Sequence, residues 1–414
     1  MSLRTSVQVL ACTLSFPLSA AILDITDFGA TPGDYSDDDA IAINLAIDAA
    51  NVGDVVSVPA GKFHLRTPIV MKSDVSLKGV SYQESELATL YYGDDTYLIY
   101  ANGVSDVAIE NLRLKSNSAS QGVESLVYVK NATNVTIRGS SLHRFIRHGV
   151  YFNNTVNGRV DESRFLDATE TDLGGHGYGV VFTNGCNAGR VDDSQFIGPK
   201  IRHGVVIQGN KVDWNPSHDI MIKNNYFENN VQDSIDLHGY GEYNNYVIYN
   251  TIEGDPDSDV IGRGIGVGED VHGPSGTGNV IQYNVINNTR YGIHILTGSE
   301  DVTVKYNTIS NCKRYGIYVQ DGSDLDIRDN TITGCQKWGV YVKEGDDITL
   351  RSASQNGNQI NQNGLQGSAY GGVRFDAGVT GLNVQNNNFC DNDASGGVNL
   401  SSEGTGIIAD NLCQ

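Results

Sequence analysis

Long hydrophobic runs are missing from this chain of 414 residues, only 39% of which are apolar. The one apolar stretch, residues 7–18, is too short to span a bilayer. Proline (8), methionine (3) and tryptophan (2) are scarce, whereas glycine (48) and tyrosine (21) are abundant. That balance argues against a helix-rich fold and against an ordinary pair of α/β domains. Positive charge is also short: 28 Lys and Arg against 49 Asp and Glu leave a net charge of −21. So acidic a chain is a poor general binder of nucleic acid or anionic membrane, so neither is an expected partner. An anionic ligand must find a local exception.

The first residues read MSLRTSVQVLACTLSFPLSAA. Arg4 supplies a positive start, an apolar segment follows, and Ser19-Ala20-Ala21 offers a small-residue cleavage site, so residues 1–21 are expected to be a secretory signal and residues 22–414 the folded domain. Asn131, Asn134, Asn153, Asn287 and Asn399 each begin an N-x-[ST] triplet and are candidate glycosylation sites for a secreted, extracellular protein.

An internal repeat organises the rest. A Gly-(Val/Ile)-x-(hydrophobic) unit recurs from GVYF (149–152) through GVVF, GVVI, SIDL, GIGV, GIHI, GIYV, GVYV and GVRF to GVNL (397–400), at intervals of 23 to 33 residues. Between these units lie segments such as DVTVKYNTI and DLDIRDNTI, short alternating strands punctuated by Asn, Gly and Asp. A unit of this size cannot bury its own apolar face, whereas stacked turns make one core with parallel strands paired rung to rung. The expected fold is therefore all-β, a single right-handed parallel β-helix of about ten to twelve rungs. Asn225, Asn250, Asn284, Asn307, Asn330 and Asn358 keep one phase and are expected to form an internal amide ladder. Near the N-terminus, SDDDAIAINLAIDAA reads as an amphipathic helix with Ser36 as its N-cap, and residues 22–75 as a cap over the open end of the coil. Asp37, Asp38 and Asp39 are read as serving the helix dipole rather than a metal. Cys312 and Cys335, and likewise Cys390 and Cys413, lie 23 residues apart. Stacking would place each pair on neighbouring rungs, so two disulfides are expected, with Cys186 buried and unpaired. No CxxC or nearby His pair signals zinc.

The opening ITDFGATPGDYSDDDAIAINLAIDAA…VSVPAGKFHL, followed by N-x-I and G-V-x-V rungs, resembles the pectin-lyase-like right-handed β-helix superfamily across the whole mature chain. The resemblance implies a carbohydrate-active protein, in a group that holds lyases, epimerases, hydrolases and phage depolymerases.

In the G-h-x-h strands the residue between the hydrophobic positions points outward. Stacking then displays a column of Tyr151, Val181, Val206, Asp236, Gly266, His294, Tyr318, Tyr341, Arg374 and Asn399. His148, Tyr178, His203, Asp233 and Arg263 lie beside it at the strand starts. Such a column suits an extended sugar chain through aromatic stacking on pyranose rings, the alternative being a solvated face with scattered aromatics. Residues 142–223 hold nine Lys or Arg, nine Asp or Glu, and five of the nine His. RHG occurs twice there, at Arg147-His148 and Arg202-His203, and HGYG begins at His176 and His238. This neutral window is the expected docking region for an anionic chain.

The segment DSIDLHGYGEYNN (233–245) alone replaces the strand glycine, with Ser234, and sets Asp236 two residues before His238. It resembles the Tyr-Gly-Phe-Asp-Pro-His strand of alginate C5-epimerase modules at Asp236 and His238, while Asp233 stands where the tyrosine would be; Tyr240 or Tyr178 is a candidate replacement. The implied reaction starts with removal of a uronate C5 proton. His238 or His203 is the candidate base, Asp236 its orienter, Tyr240 the proton donor and Arg202 the cation for the developing enolate. Arg147, His148, Tyr151, His176, Tyr178, Arg263, His294 and Tyr318 are candidate substrate contacts. The expected activity is a polysaccharide lyase on a uronate polymer, by a monomer without a cofactor. The alternatives are a C5-epimerase, a glycoside hydrolase using Asp233, Asp236 and Glu269, and a sugar-binding β-helix without catalysis. Asp255, Asp257 and Asp259 alternate as in a calcium loop but read more simply as a solvated turn. His272 lies in a Gly-rich loop placed to overhang the groove.

Overall fold

The computed structural model describes residues 20–91, 93–116, 123–168, 177–209, 212, 215–237, 239–257, 262–268, 275–352, 357–392 and 397–413. Most of the signal segment, His176, His238, Asp259, Glu269 and His272 therefore lie outside the described residues. The chain winds as a parallel coil with three faces. One face is a twelve-stranded ladder running from Gly61–Leu65 to Gln359–Asn361. The G-h-x-h strands build a second, from His148–Asn153 through Asp233–Leu237 to Tyr315–Val319, and strands such as Thr133–Arg138, Tyr246–Ile248 and Thr303–Lys305 build the third.

Register explains the sequence pattern. Val150 pairs with Val180, Val180 with Val205 and Val205 with Ile235, so inward residues stack on inward residues at every turn. On the twelve-stranded face Phe165, Phe196 and Phe227 stack with centroids 4.6 and 4.8 Å apart. These rings explain the strand-leading glycines: a Cβ on Gly179 would meet the Phe196 ring at 2.6 Å and Gly204 O at 2.4 Å.

The amide ladder forms and extends beyond the six expected residues. Asn284 Nδ2 donates to Val247 O (2.9 Å) and Asn307 Oδ1 (3.0 Å), while its Oδ1 accepts from Asn250 N and Nδ2. The column continues to Asn387 and Asn411, and towards the N-terminus serines replace asparagines, with Ser163 N donating to Ser194 Oγ and Ser194 N to Asn225 Oδ1. Each amide satisfies backbone groups that a tight corner would leave bare inside the core.

At the N-terminal end helix α1 (Asp39–Ala49) buries Ala40, Ile43 and Ile47 over the first rungs. Its N-cap is Asp38, whose Oδ1 accepts from Ala40 N. Ser36 is not the cap because its N–H and hydroxyl both donate to Asp34. Asp39 accepts from Thr31 N and His64 N, so these acids bind backbone amides.

Two cysteine and register expectations need correction. Cys390 and Cys413 form a disulfide, but Cys312 and Cys335 are separate buried thiols. The parallel ladder keeps those two inward vectors side by side, each sulfur lying over a carbonyl two residues back. Cys186 is buried and free, and burial pushes its thiol up to about 12. At the last rung Arg374 pairs with Ser401, two residues beyond the expected Asn399. Asn399 instead accepts from Asn392 N, ending a second internal amide column. Of the sequons, Asn131 and Asn134 are exposed, while Asn153, Asn287 and Asn399 are half-buried.

Glu242 is a fully buried carboxylate in the core, taking hydrogen bonds from Asn245 (2.7 Å), Asn279 (2.8 Å) and Ser275 (3.0 Å). Burial outweighs these donors and raises its pKa from 4.5 to about 7. Between those values the folded state keeps a proton that the unfolded state has lost, so stability falls as pH rises and levels off above about 7, a penalty of roughly 3 kcal/mol. Thermal melts should show Glu242→Gln gaining on the wild type between about pH 5 and pH 8. A pH-independent difference would contradict this. Asn284→Ala should cost about 2–4 kcal/mol because it strands buried groups on two rungs. Thr308→Ala, on the exposed side of a neighbouring strand, should stay within about 0.5 kcal/mol in the same denaturation assay.

Candidate functional site

The outward column exists as the strand spacing implies. Tyr151, Val181, Val206, Asp236, Gly266, His294, Tyr318, Tyr341 and Arg374 pair successively across the G-strand face. It starts earlier than the glycine motif indicates, since Tyr100 pairs with Tyr128 and Tyr128 with Tyr151. Those strands, YLIYAN and LVYVKN, lack the leading glycine but show the same alternation.

Ring geometry changes what the column offers. His294 and Tyr318 stack at 4.9 Å and 12°, and Tyr318 and Tyr341 at 5.3 Å and 15°. Their faces cover one another, so downstream the groove is lined by ring edges and hydroxyls. Upstream, Tyr128 and Tyr151 are tilted by 48° and His148 packs on Tyr151 at 4.3 Å. His148 Nδ1 also meets Ser125 Oγ at 2.9 Å.

Between Tyr151 and His294 the column narrows to Val181, Val206, Asp236 and Gly266, and there a cavity of about 170 Å³ opens. Tyr178, Arg202, His203, Asp233, Asp236 and Arg263 line it, with Gln208 and Gln232 at its rim. A Cβ on Gly266 would lie 3.1 Å from the Asp233 carboxyl, so glycine there keeps the floor open. His203 is 4% exposed, Asp233 3% and Asp236 5%. His203 Nδ1 lies 3.4 Å from Asp236 Oδ2 and 3.7 Å from Asp233 Oδ2, and Arg263 Nη1 lies 3.4 Å from the latter oxygen. Arg202 Nε donates to Gln232 Oε1 at 2.8 Å, and its guanidinium lies 5.9 Å from the Tyr178 ring centroid. Burial raises the Tyr178 pKa, so its phenol keeps its proton at neutral pH. One donor atom each from His203, Asp233 and Asp236 lies within 4.8 Å of the others, a set able to share a small divalent ion; Arg263 supplies counter-charge to Asp233.

The structure thus gathers His203, Asp236, Arg202, Tyr178 and Arg263, all expected from sequence. It adds Asp233, expected beside the column at a strand start, as a departure from a motif and as a hydrolase carboxylate, but not as a catalytic or substrate-binding residue of the lyase. The signal was its phase, one residue before the strand position that glycine usually holds. Gln208 and Gln232 carried no signal beyond their place at strand ends. Tyr240 does not line the cavity: it occupies the turn after the strand with φ 55°, its backbone against Gly209. Arg147 sits two rungs away and is ion-paired with Glu124 at 3.4 Å. The neutral window 142–223 is not one docking surface. Arg159, Arg190 and Lys223 lie on the third face and Arg164 on the twelve-stranded face, because three rungs of chain wrap all the way round the coil. In the calcium candidate, Asp255 Oδ1 accepts from Asp257 N, the geometry of a turn. Two larger clefts on the C-terminal half, about 540 and 530 Å³, are open and rich in Asp, Glu and Ser; among the described residues, neither holds a His/Asp group close enough to share an ion, as the one at His203 is.

Two family profiles match the chain: "Rhamnogalacturonase A/epimerase, pectate lyase-like" over residues 22–255, and "Right handed beta helix region" over 202–352 and 292–414. No curated protein sequence matches. Among solved structures, similarity extends to the surface adhesin PfbA of Streptococcus pneumoniae, with TM-score 0.59 and 19% identity over 79% of this chain and 87% of that one. It extends also to the A-module of the Azotobacter vinelandii mannuronan C-5 epimerase AlgE4, with TM-score 0.54 and 17% identity over 95% and 97%. An alginate lyase from a Paenibacillus species matches with TM-score 0.56 and 14% identity over 69% and 94%.

The cations along the groove leave a measurable mark on His294. Burial first, then Arg263 and Arg290, lower its pKa to about 3. Its imidazole resonances should stay in the neutral form from pH 8 down to about pH 4, and Arg290→Gln should raise the midpoint. Titration near pH 6.5 would contradict this environment.

Proposed function

Because the chain belongs to the right-handed β-helix, pectate lyase-like family, we propose that it is a polysaccharide lyase cleaving a uronate-containing polymer by β-elimination at the cavity around His203. The observation that carries this reading is the grouping of one imidazole, two carboxylates, two guanidinium ions and a protonated phenol in one small cavity on the groove floor. Arg202 and Arg263 bind the uronate carboxylate and stabilise the charge that develops on it. Asp236 Oδ2 lies 3.4 Å from Nδ1 of His203 and orients the imidazole, which takes the C5 proton. The C4–O bond then breaks, a C4–C5 double bond forms, and Tyr178 protonates the departing oxygen. Removal of the same proton followed by its return to the opposite face would be C5 epimerisation, a reading favoured by the match of Asp236 to the epimerase strand.

Hydrolysis fits less well. The donor oxygens of Asp233 and Asp236 lie within 4.8 Å of each other and both face His203. An inverting pair needs about 6.5–9.5 Å, and a retaining pair must flank the bond rather than share one side. The same reading makes the protein a secreted glycoprotein acting on an extended anionic polysaccharide. The Cys390–Cys413 disulfide suits an oxidising compartment, and Asn131 is an exposed sequon.

Incubation with alginate, polygalacturonate, glucuronan and neutral glucans tests the proposal through unsaturated-uronate absorbance, reducing ends and the C5-proton NMR signal. Absorbance with at least one uronate polymer is expected, and His203→Ala should lower it by about 10²–10⁴-fold with unchanged circular dichroism. New reducing ends from a neutral glucan without absorbance would overturn it in favour of hydrolysis. Binding without any product would leave a sugar-binding β-helix.

A further inference from the structure

Arg202 occupies the position two residues before the strand glycine, and Gln232 and Gly262 continue that position on the next two rungs through Gln232 N to Arg202 O and Arg290 N to Gly262 O. The series then runs Arg290, Arg314, Lys337, joined by hydrogen bonds from Arg314 N to Arg290 O and from Lys337 N to Arg314 O. Three consecutive rungs therefore place a cation at one edge of the groove, spaced by about the 4.8 Å of neighbouring strands.

All three are half-buried, and none has a carboxylate partner among the described residues. Each leans on an aromatic instead. The Arg290 guanidinium lies 5.2 Å from the Tyr291 ring centroid, Arg314 Nη1 donates to Tyr291 Oη at 3.2 Å, and Lys337 Nζ lies 5.1 Å from the Tyr370 centroid. On the other side of the cavity the same strand position carries Arg147, which Glu124 neutralises. In a chain with 49 acidic residues the contrast is informative: carboxylates are plentiful, yet among the described residues none is ion-paired with these three cations. Half-burying a cation without a counter-ion is unfavourable, so the arrangement fits an anionic partner.

We propose that Arg290, Arg314 and Lys337 form a cationic rail that grips the acidic groups of a polyanionic polysaccharide running from the cavity towards the C-terminal rungs. The inference rests on the uronate reading for the cavity but concerns binding of the chain beyond it. A pyranose unit is about as long as one rung spacing, so successive residues can present an acidic group to successive cations. The ring edges and hydroxyls of His294, Tyr318 and Tyr341 lie alongside for the sugar hydroxyls. The rail is one residue wide and set against a groove, which suits a single linear chain rather than a flat anionic surface.

The test measures binding of the whole protein in a His203→Ala background, so that no turnover intervenes. Probes are fluorescent oligomers of galacturonate, mannuronate and a sulfated galactan, the methyl-esterified galacturonate as a neutral control, and single-stranded RNA. The combined Arg290→Gln, Arg314→Gln, Lys337→Gln variant should bind long anionic oligomers about tenfold more weakly and with a flatter salt dependence. Its affinity for the esterified chain and for a disaccharide should be unchanged, and its circular dichroism should match the parent. Carboxylate and sulfate arms identify the anionic group. Equal affinity of parent and variant for long polyanions overturns the rail, as does RNA binding tighter than every polysaccharide. If the variant loses polyanion binding while the active protein forms no unsaturated ends, the rail stands and the lyase reading falls. If unsaturated ends form and affinity is unchanged, the reverse holds.

Discussion

In-register pairing of each rung with the next is the constraint on which the rest depends. A parallel ladder fixes both the direction of every side chain and its vertical neighbour, so a residue is chosen less for its own place than for what it meets one turn above and below. Inside, this gives columns of like residues: valines on valines, Phe165 on Phe196 on Phe227, and asparagines that hand one hydrogen bond along from rung to rung. Outside, it converts a pattern spread over hundreds of residues into a continuous groove. Stability and function are thus set by the same register.

The cavity is a local interruption of that regularity. Where aromatic residues would continue the outward column, Val181, Val206 and Gly266 leave room, and Asp236 with its neighbours fills the floor with charge. Burial of two carboxylates is tolerated because His203 and Arg263 lie within 3.7 Å of them. The result is a preorganised field in which an imidazole sits against two carboxylates, an arrangement suited to taking up a proton. Glu242 extends charge into the core near the same rung, since Asp236 contributes to raising its pKa.

How much of this the sequence carried depends on what kind of information each feature needs. Stacking, face alternation and the amide ladder follow from spacing alone, and His203, Asp236 and Arg263 stood in the right phase for the same reason. Features that depend on three-dimensional competition did not follow. Ser36 loses the helix cap to Asp38 because Asp34 captures its hydroxyl. Cys312 and Cys335 stack without bonding, and the last rung slips by two residues so that Ser401 replaces Asn399 beside Arg374. The neutral window misled because composition along a chain ignores that each turn visits all three faces. The aromatic column was legible as a list but not as a surface, since only ring angles show that neighbouring faces cover each other.

The central claim is that the cavity at His203 receives a uronate with its carboxylate between the two arginines. The most direct measurement is a structure of the His203→Ala protein with a short uronate oligosaccharide. The account predicts one carboxylate held by Arg202 and Arg263, its C5 beside position 203, and the chain lying along Tyr318 towards Lys337. An oligosaccharide bound on another face, or in the groove with every carboxylate turned away from both arginines, would contradict it.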